Sequence, residues 1–424
     1  PPAPTITAVP DGWGRVVVTW NEVTDVGSGM ASYTVLRDGK AVSSALSTSA
    51  RTFTVASSAP AVQASYRVRA TDKAGNSTDS AARAATPHIA LAGDTRYDTA
   101  IATARLAFPS GASTVILATG NNFPDALAAS PLAGVLDAPI LLVPTKMPSA
   151  GSATAKGFDA TLAYVKGLKP AEVIVLGGDI AITPAVYTKI QGAIPGVKFT
   201  RYAGETRYAT ANMIVSRALA EMSKAGTPFA GTAFLATGAN FPDALAAAPV
   251  AVSNGWPVYL TSGTGFTTAT RDAMKKAGVK KVVVLGGELA IDAKAYGQVV
   301  SAFGSANVTR IAGATRYDTA AKIATLAVSG SITETSRIGV SVKTKHTWDR
   351  VGITTGLNFP DALAGGVLQG KPYTTRGRSV TLLTNPTALS KATADTLKLR
   401  KASIDVVTFY GGELALSQGV RTSV

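Results

Sequence analysis

Three arginines, Arg96, Arg207 and Arg316, recur 111 and 109 positions apart in one setting, Gly-x-Thr-Arg-Tyr-x-Thr-Ala. A guanidinium is a permanent cation whose planar fork of donors matches phosphate or carboxylate. Three aspartates, Asp125, Asp243 and Asp361, recur 118 positions apart inside the heptapeptide Asn-Phe-Pro-Asp-Ala-Leu-Ala. Three glycine pairs, beginning at Gly177, Gly286 and Gly411, interrupt the runs VIVLGGDIAI, VVVLGGELAI and VTFYGGELAL. A cation beside backbone N–H groups freed by glycine is the raw material of an anion site. Two roles fit each arginine: contact with an anionic ligand, or pairing with a motif carboxylate within its module or across a module boundary. The glycine pairs fit tight turns as well as a ligand cradle. A carboxylate is a poor direct partner for a polyanion unless a cation bridges them, so the aspartates read as helix-start and network residues.

These residues need elements to hold them. Each heptapeptide follows a short apolar run ending in Thr-Gly, at 116–120, 234–238 and 352–356. That order predicts a strand, a turn, and a helix entered through Pro124, Pro242 or Pro360, since proline is at home in the first helical turn. The adjacent aspartate sits where the helix dipole favours negative charge, and the Ala-Leu-Ala run suits close packing on a sheet. Further apolar strands are expected at 139–143, 257–261 and 380–384, alternating with helical stretches. The pattern predicts α/β layers with largely parallel sheets. In such sheets ligands gather beyond the carboxyl ends of the strands, where all three motifs fall.

The spacing makes residues 88–424 a threefold internal repeat of units near 110 residues, each large enough for its own core. The expected divisions are 88–200, 201–308 and 309–424. Residues 1–87 differ in texture. VVVTW, SYTVLRDG, RTFTVA and SYRVRATDKAGN alternate in pattern between turn-forming clusters, which predicts a small antiparallel sandwich. This segment resembles a fibronectin type III domain, with Trp20, Tyr33 and Tyr66 at core positions, and would serve as a spacer or adhesive module.

The trio Gly-x-Thr-Arg-Tyr-x-Thr-Ala, Asn-Phe-Pro-Asp-Ala-Leu-Ala and Leu-Gly-Gly-x-x-Ala-Ile, in that order three times, resembles the cell-wall-binding repeat type 2 family. The resemblance implies three α/β modules packed as a pseudo-threefold trimer. It implies a secreted protein at the wall or surface of a Gram-positive cell, held non-covalently by an anionic secondary wall polymer, teichoic-type or acidic polysaccharide. Other surface proteins or further copies of the chain are additional partners to consider. A self-assembling surface-layer or filament protein is the rival within the structural class; sedimentation separates discrete monomers from sheets or fibres.

Charge and composition agree with a polyanion partner. The chain carries 41 basic and 26 acidic residues, a net +15, with 46% hydrophobic and 16% charged residues. Such a balance attracts nucleic acid, anionic lipid or acidic glycan, but no helix-turn-helix, RNP or zinc-finger pattern accompanies it, so nucleic acid is not expected. No apolar run is long enough to span a membrane. The opening Pro1-Pro2-Ala3-Pro4 has no leader pattern, which fits a processed export signal or a fragment. With no cysteine and only His88 and His346, neither a repeated catalytic triad nor a thiolate metal site can be assembled. The runs LGGDIA and LGGELA lack the third glycine of a dinucleotide fingerprint. We expect no cofactor, no metal and no catalysis.

The copies also differ. Arg201 and Arg310 precede their opening motifs, whereas Ala90 stands at that place in the first copy, so a contact made there would be missing from module one. The third copy has longer connections, one with Lys343, Lys345, His346, Trp348 and Arg350, another with Lys371, Tyr373, Arg376 and Arg378. Lys345, Trp348, Arg376 and Arg378 are candidates for holding a glycan by charge and stacking; solvated hairpins with one side chain tucked in are the alternative.

Overall fold

Alternation of apolar and polar residues sends every second side chain of a strand to one face, and residues 1–87 are built on it. In the computed structural model, which describes residues 1–56, 62–330, 340, 342–372 and 376–424, this segment forms two antiparallel sheets. One orders Ile6–Pro10, Arg15–Trp20 and Thr52–Ala56. The other orders Lys40–Ala41, Met30–Arg37, Ala64–Asp72 and Ser77–Asp79, with Arg83–Ala85 also on Ala64–Asp72. Val16, Val18, Tyr33, Val35, Tyr66 and Val68 fill the space between them, and Trp20 lies 5.6 Å from Tyr33 ring to ring.

The chain divides into two units, and the first takes in Asp405–Phe409 and Gln418–Val424 as well as Pro1–Ala90. The helix Gln418–Thr422 shows why. Trp13 Nε1 donates to Gln418 Oε1 at 2.6 Å, and Arg421 donates to Gly12 O at 2.9 Å. The Arg421 guanidinium lies 3.6 Å from the Trp13 ring centre. The short last element of the chain is thus tied to its first loop, a pairing no local pattern announces.

The second unit, Leu91–Ile404 with Tyr410–Ser417, holds the repeats. In module one the parallel order is Ile140–Val143, Thr114–Thr119, Glu172–Leu176, Lys198–Tyr202. Module two repeats it with Val258–Thr261, Thr232–Thr237, Lys281–Leu285 and Val308–Ile311. Module three pairs Arg350–Thr355 with Val380–Thr384 in parallel. The strands are buried on both faces, as their continuous apolar runs require. At the end of each third strand a glycine N–H donates to the strand beyond: Gly177 to Tyr202 O, Gly286 to Ile311 O, Gly411 to Leu91 O, at 2.8, 2.9 and 2.9 Å. The last partner comes from the start of the repeats, so module three is completed by the beginning of the array.

The heptapeptide proline opens a helix in every copy: Pro124–Leu127, Pro242–Asn254 and Pro360–Gly370. The small residues behind it do more than pack on a sheet. A Cβ on Gly366 would lie 2.5 Å from Ala248 Cβ, and one on Gly134 would lie 2.3 Å from Val252 O. Pro242–Asn254 therefore approaches Pro360–Gly370 and, in module one, the helix Ser130–Val135 that follows Pro124–Leu127, at backbone distance. Phe123, Phe241 and Phe359 meet ring to ring, with centroids 5.3, 6.0 and 6.0 Å apart.

Candidate functional site

Each opening motif starts a helix: Arg96–Ala107, Arg207–Lys224 and Arg316–Ser329. Thr95, Thr206 and Thr315 are the N-caps, and Asp98 and Asp318 complete capping boxes in the first and third copies. The cap threonine satisfies N–H groups that lack intrahelical partners. It also fixes the next residue, the arginine, at the first helical position. From there Arg207 donates to Gly238 O and Arg316 to Gly356 O, both at 2.6 Å, and Arg96 donates to Gly120 O. Each arginine clamps the Thr-Gly turn of its own module. The glycine of that turn has no room for a side chain, since a Cβ on Gly238 would lie 2.7 Å from the Tyr208 ring.

The same helix start faces the aspartate of the preceding module. Asp125 accepts from Thr210 and sees the charge of Arg207. Asp243 does so with Thr319 and Arg316, and Asp361 with Thr99 and Arg96. Thr210 and Thr319 in turn accept from Gly204 and Gly313 N–H at 3.0 Å. On its other side each carboxylate presses on the glycine turn: a Cβ on Gly177, Gly286 or Gly411 would lie 2.4, 2.3 or 2.5 Å from the aspartate Oδ2. These three glycines have φ of +95°, +89° and +102°, so they are tight turns that also admit a carboxylate. The helix dipole was expected to favour the ionised aspartate. Burial outweighs it, raising Asp125 and pushing Asp243 and Asp361 up to about 6, against the pull of the facing arginines.

Arg201 and Arg310 spend their donors on the same turns. Arg201 donates to Gly177 O at 2.8 Å, Ile182 O at 2.7 Å and Asp179 at 2.9 Å. Arg310 donates to Gly286 O at 2.7 Å and Ile291 O at 2.8 Å. They lie on Lys198–Tyr202 and Val308–Ile311, the strands paired with those that end in the turns they hold. The Gly411 turn meets Leu91, which follows Ala90 in the sequence.

In the third copy, Trp348 offers no stacking face. It is 7% exposed, with the Arg400 guanidinium 5.5 Å from its ring centre. The loop around it docks on the end of the module-two helix: Thr344 N–H donates to Asn254 Oδ1 at 2.8 Å, and His346 Nε2 meets Ser253 Oγ at 2.8 Å. Arg350, at the end of that segment, is fully buried and donates to Leu368 O and Lys371 O. Lys345 is exposed, Arg376 and Arg378 are half-buried, and Tyr373 lies outside the described residues.

An open cleft of about 1210 Å³ lies beyond the carboxyl ends of the module-one strands, between them and the opening motif of module two. Asn121, Asn122, Thr145, Asp179, Thr206 and Tyr208 are among its walls, as are Arg207 and Asp125. Sequence reasoning put the opening motifs at the strand ends, which is where they lie. It missed Thr99, Thr210 and Thr319, although their recurrence as the second threonine of the opening motif was the available signal. Among the described residues no three His, Asp or Glu are grouped to hold a metal ion, and no helix is long and apolar enough to cross a membrane.

Arg207→Met should lower the unfolding free energy by about 1–3 kcal/mol, because Gly238 O loses a charged donor and Asp125 its facing cation. The replacement also separates the two roles of the residue: wall affinity retained at equal folded fraction assigns it to the framework, whereas affinity lost assigns it to the ligand.

The family model for cell wall binding domain 2 (CWB2) matches residues 90–187, 201–296 and 310–421. The chain is 29% identical over 281 residues to the N-acetylmuramoyl-L-alanine amidase LytC of Bacillus subtilis, covering 66% of this chain and 48% of that protein. It is 28% identical over 284 residues to the amidase enhancer of the same organism, covering 66% of this chain and 33% of that protein. It thus spans about half or less of the length of these curated relatives. Among solved structures, Cwp6 from Clostridium difficile superposes with a TM-score of 0.63 at 18% identity, covering all of this chain and 68% of that one. Cwp8 from the same organism gives 0.63 at 18%, covering 92% and 63%.

Proposed function

The chain belongs to the cell wall binding domain 2 family, and from that premise we propose that it holds a surface protein on the Gram-positive wall by binding an anionic secondary wall polymer, teichoic-type or acidic polysaccharide. The observation that carries the reading is the threefold match of the family over residues 90–421. Net charge +15 supports attraction to a polyanion, and three modules on one chain multiply weak contacts into avidity. The modules, taken as 88–200, 201–308 and 309–424, act together as a pseudo-threefold trimer. The meeting of the three heptapeptide phenylalanines and the chain of aspartate-to-threonine contacts from each module to the next support that arrangement. Residues 1–87 act as a fibronectin type III-like spacer.

The polymer enters beyond the strand ends, where the module-one cleft lies. Arg96, Arg207 and Arg316 stand at this level in each module, with Lys345, Arg376 and Arg378 as additional cationic contacts. Arg201 and Arg310 act on the polymer indirectly, by holding the glycine turns. The chain is non-catalytic in this reading, because its repeated carboxylates are engaged between a glycine turn and the next module's threonine. It works outside the cell, at the wall surface.

Binding to purified walls, followed by co-sedimentation, should weaken several-fold as salt rises from roughly 0.05 to 0.5 M, since the Debye length shrinks across that range. Binding that ignores salt would contradict an electrostatic hold on the polymer.

A further inference from the structure

Ile180, Leu289 and Leu414 occupy one position in the three glycine-pair motifs, and their exposures are 95%, 106% and 97%. Two residues later in each motif, Ile182, Ile291 and Leu416 are completely buried. The motif therefore carries one aliphatic residue that anchors the turn and one that touches nothing in the fold. The exposed residue is not loosely held. The turn beneath it is closed by backbone bonds of 2.9–3.0 Å, donated by the N–H groups of the two residues that follow it to the carbonyl of Gly178, Gly287 or Gly412. In modules one and two an arginine braces it from below. A polar residue would serve this turn equally well, because the side chain contributes no packing. Scattered exposed aliphatics are ordinary, but three in equivalent rigid positions mark a contact surface.

The surroundings in module one indicate the occupant. Ile180 stands on the wall of the cleft with Asn121, Asn122 and Tyr208. The charges there are mixed: Lys146 and Arg207 are set against Asp125, Asp179 and Glu205. This is poor chemistry for a bare phosphate or carboxylate. It suits a ring that offers hydroxyls to amides and an apolar C–H face or methyl substituent to an aliphatic side chain. We propose that Ile180, Leu289 and Leu414 are three equivalent apolar contacts for sugar rings of the wall polymer. The overall positive charge draws the polymer in, and these residues read its sugar units. The inference rests on the wall-polymer reading above.

The test compares the parent chain, the triple variant Ile180→Ser/Leu289→Ser/Leu414→Ser, and Leu399→Ser, whose leucine is 74% exposed outside the motifs. Each is titrated with purified Gram-positive walls at low and high salt, and self-association is followed by sedimentation. The triple variant should unfold at the parent midpoint and bind at least about ten-fold more weakly, because three linked contacts are lost together. The deficit should persist at high salt, and Leu399→Ser should bind like the parent. Unchanged affinity of the triple variant overturns the proposal, as does an equal loss in Leu399→Ser. Self-association of the parent that the triple variant abolishes without losing wall affinity overturns it in favour of a second copy of the chain. No binding by the parent itself refutes the wall-polymer reading and this inference with it.

Discussion

Gly286→Ala should destabilise the repeat unit by roughly 3–4 kcal/mol, one of the largest losses expected from adding a methyl group to this chain. Two causes act together. At φ +89° an L side chain is strained, by about 1–2 kcal/mol. The new Cβ would also lie 2.3 Å from Asp243 Oδ2 and 2.8 Å from Ala290 Cβ, so the carboxylate that joins module two to Thr319 and Arg316 must move. Gly177→Ala and Gly411→Ala meet the same geometry against Asp125 and Asp361 and should behave alike. In an Asp243→Ala background, Gly286→Ala should cost about 1–2 kcal/mol less, because the clash with the carboxylate has gone. Urea midpoints of the four proteins measure this. A cost within about 0.5 kcal/mol of zero for Gly286→Ala would contradict the geometry.

The second large effect concerns charge on the same latch. Asp243 and Asp361 rise from 3.8 to about 6 on folding because burial penalises the ionised form. A raised carboxyl binds its proton more tightly in the folded state. Its stabilising contribution is full below the unfolded value and is lost as pH rises through about 6. His88 and His346, pushed down to about 4 by burial, act in the opposite sense over nearly the same window. The readout is therefore a difference between proteins. Asp243→Asn/Asp361→Asn should lie near the parent in stability at pH 4 and exceed it at pH 7.5, by about 2 kcal/mol per site. A variant less stable than the parent at pH 7.5 would mean that pairing with Arg316 and Arg96 outweighs desolvation.

Much of this architecture was legible because it is local. The apolar runs before Thr-Gly, the proline that opens each helix and the recurrence of three motifs required only short-range physics. Trp20, Tyr33 and Tyr66 are buried for the reason their alternation gave. What escaped is what depends on contacts between copies. Nothing near Gly411 in the sequence says that its strand is met by Leu91. Asp125, Asp243 and Asp361 looked like dipole partners because the threonine facing each one lies 85, 76 or 262 positions away, and the arginine 82, 73 or 265. Trp348 looked available because its loop reads as basic and polar, yet it tucks under Arg400. The arginines of the opening motif had two open roles, and geometry gives them a framework role first: each clamps its own turn and faces the neighbouring module's carboxylate.

The most direct test of the account is the binding of the purified chain to two preparations of the same walls, one intact and one stripped of its secondary polymer, at fixed low salt. Binding that saturates on intact walls and disappears on stripped ones is the predicted result. Undiminished binding to stripped walls would place the recognised ligand elsewhere in the wall and contradict the account.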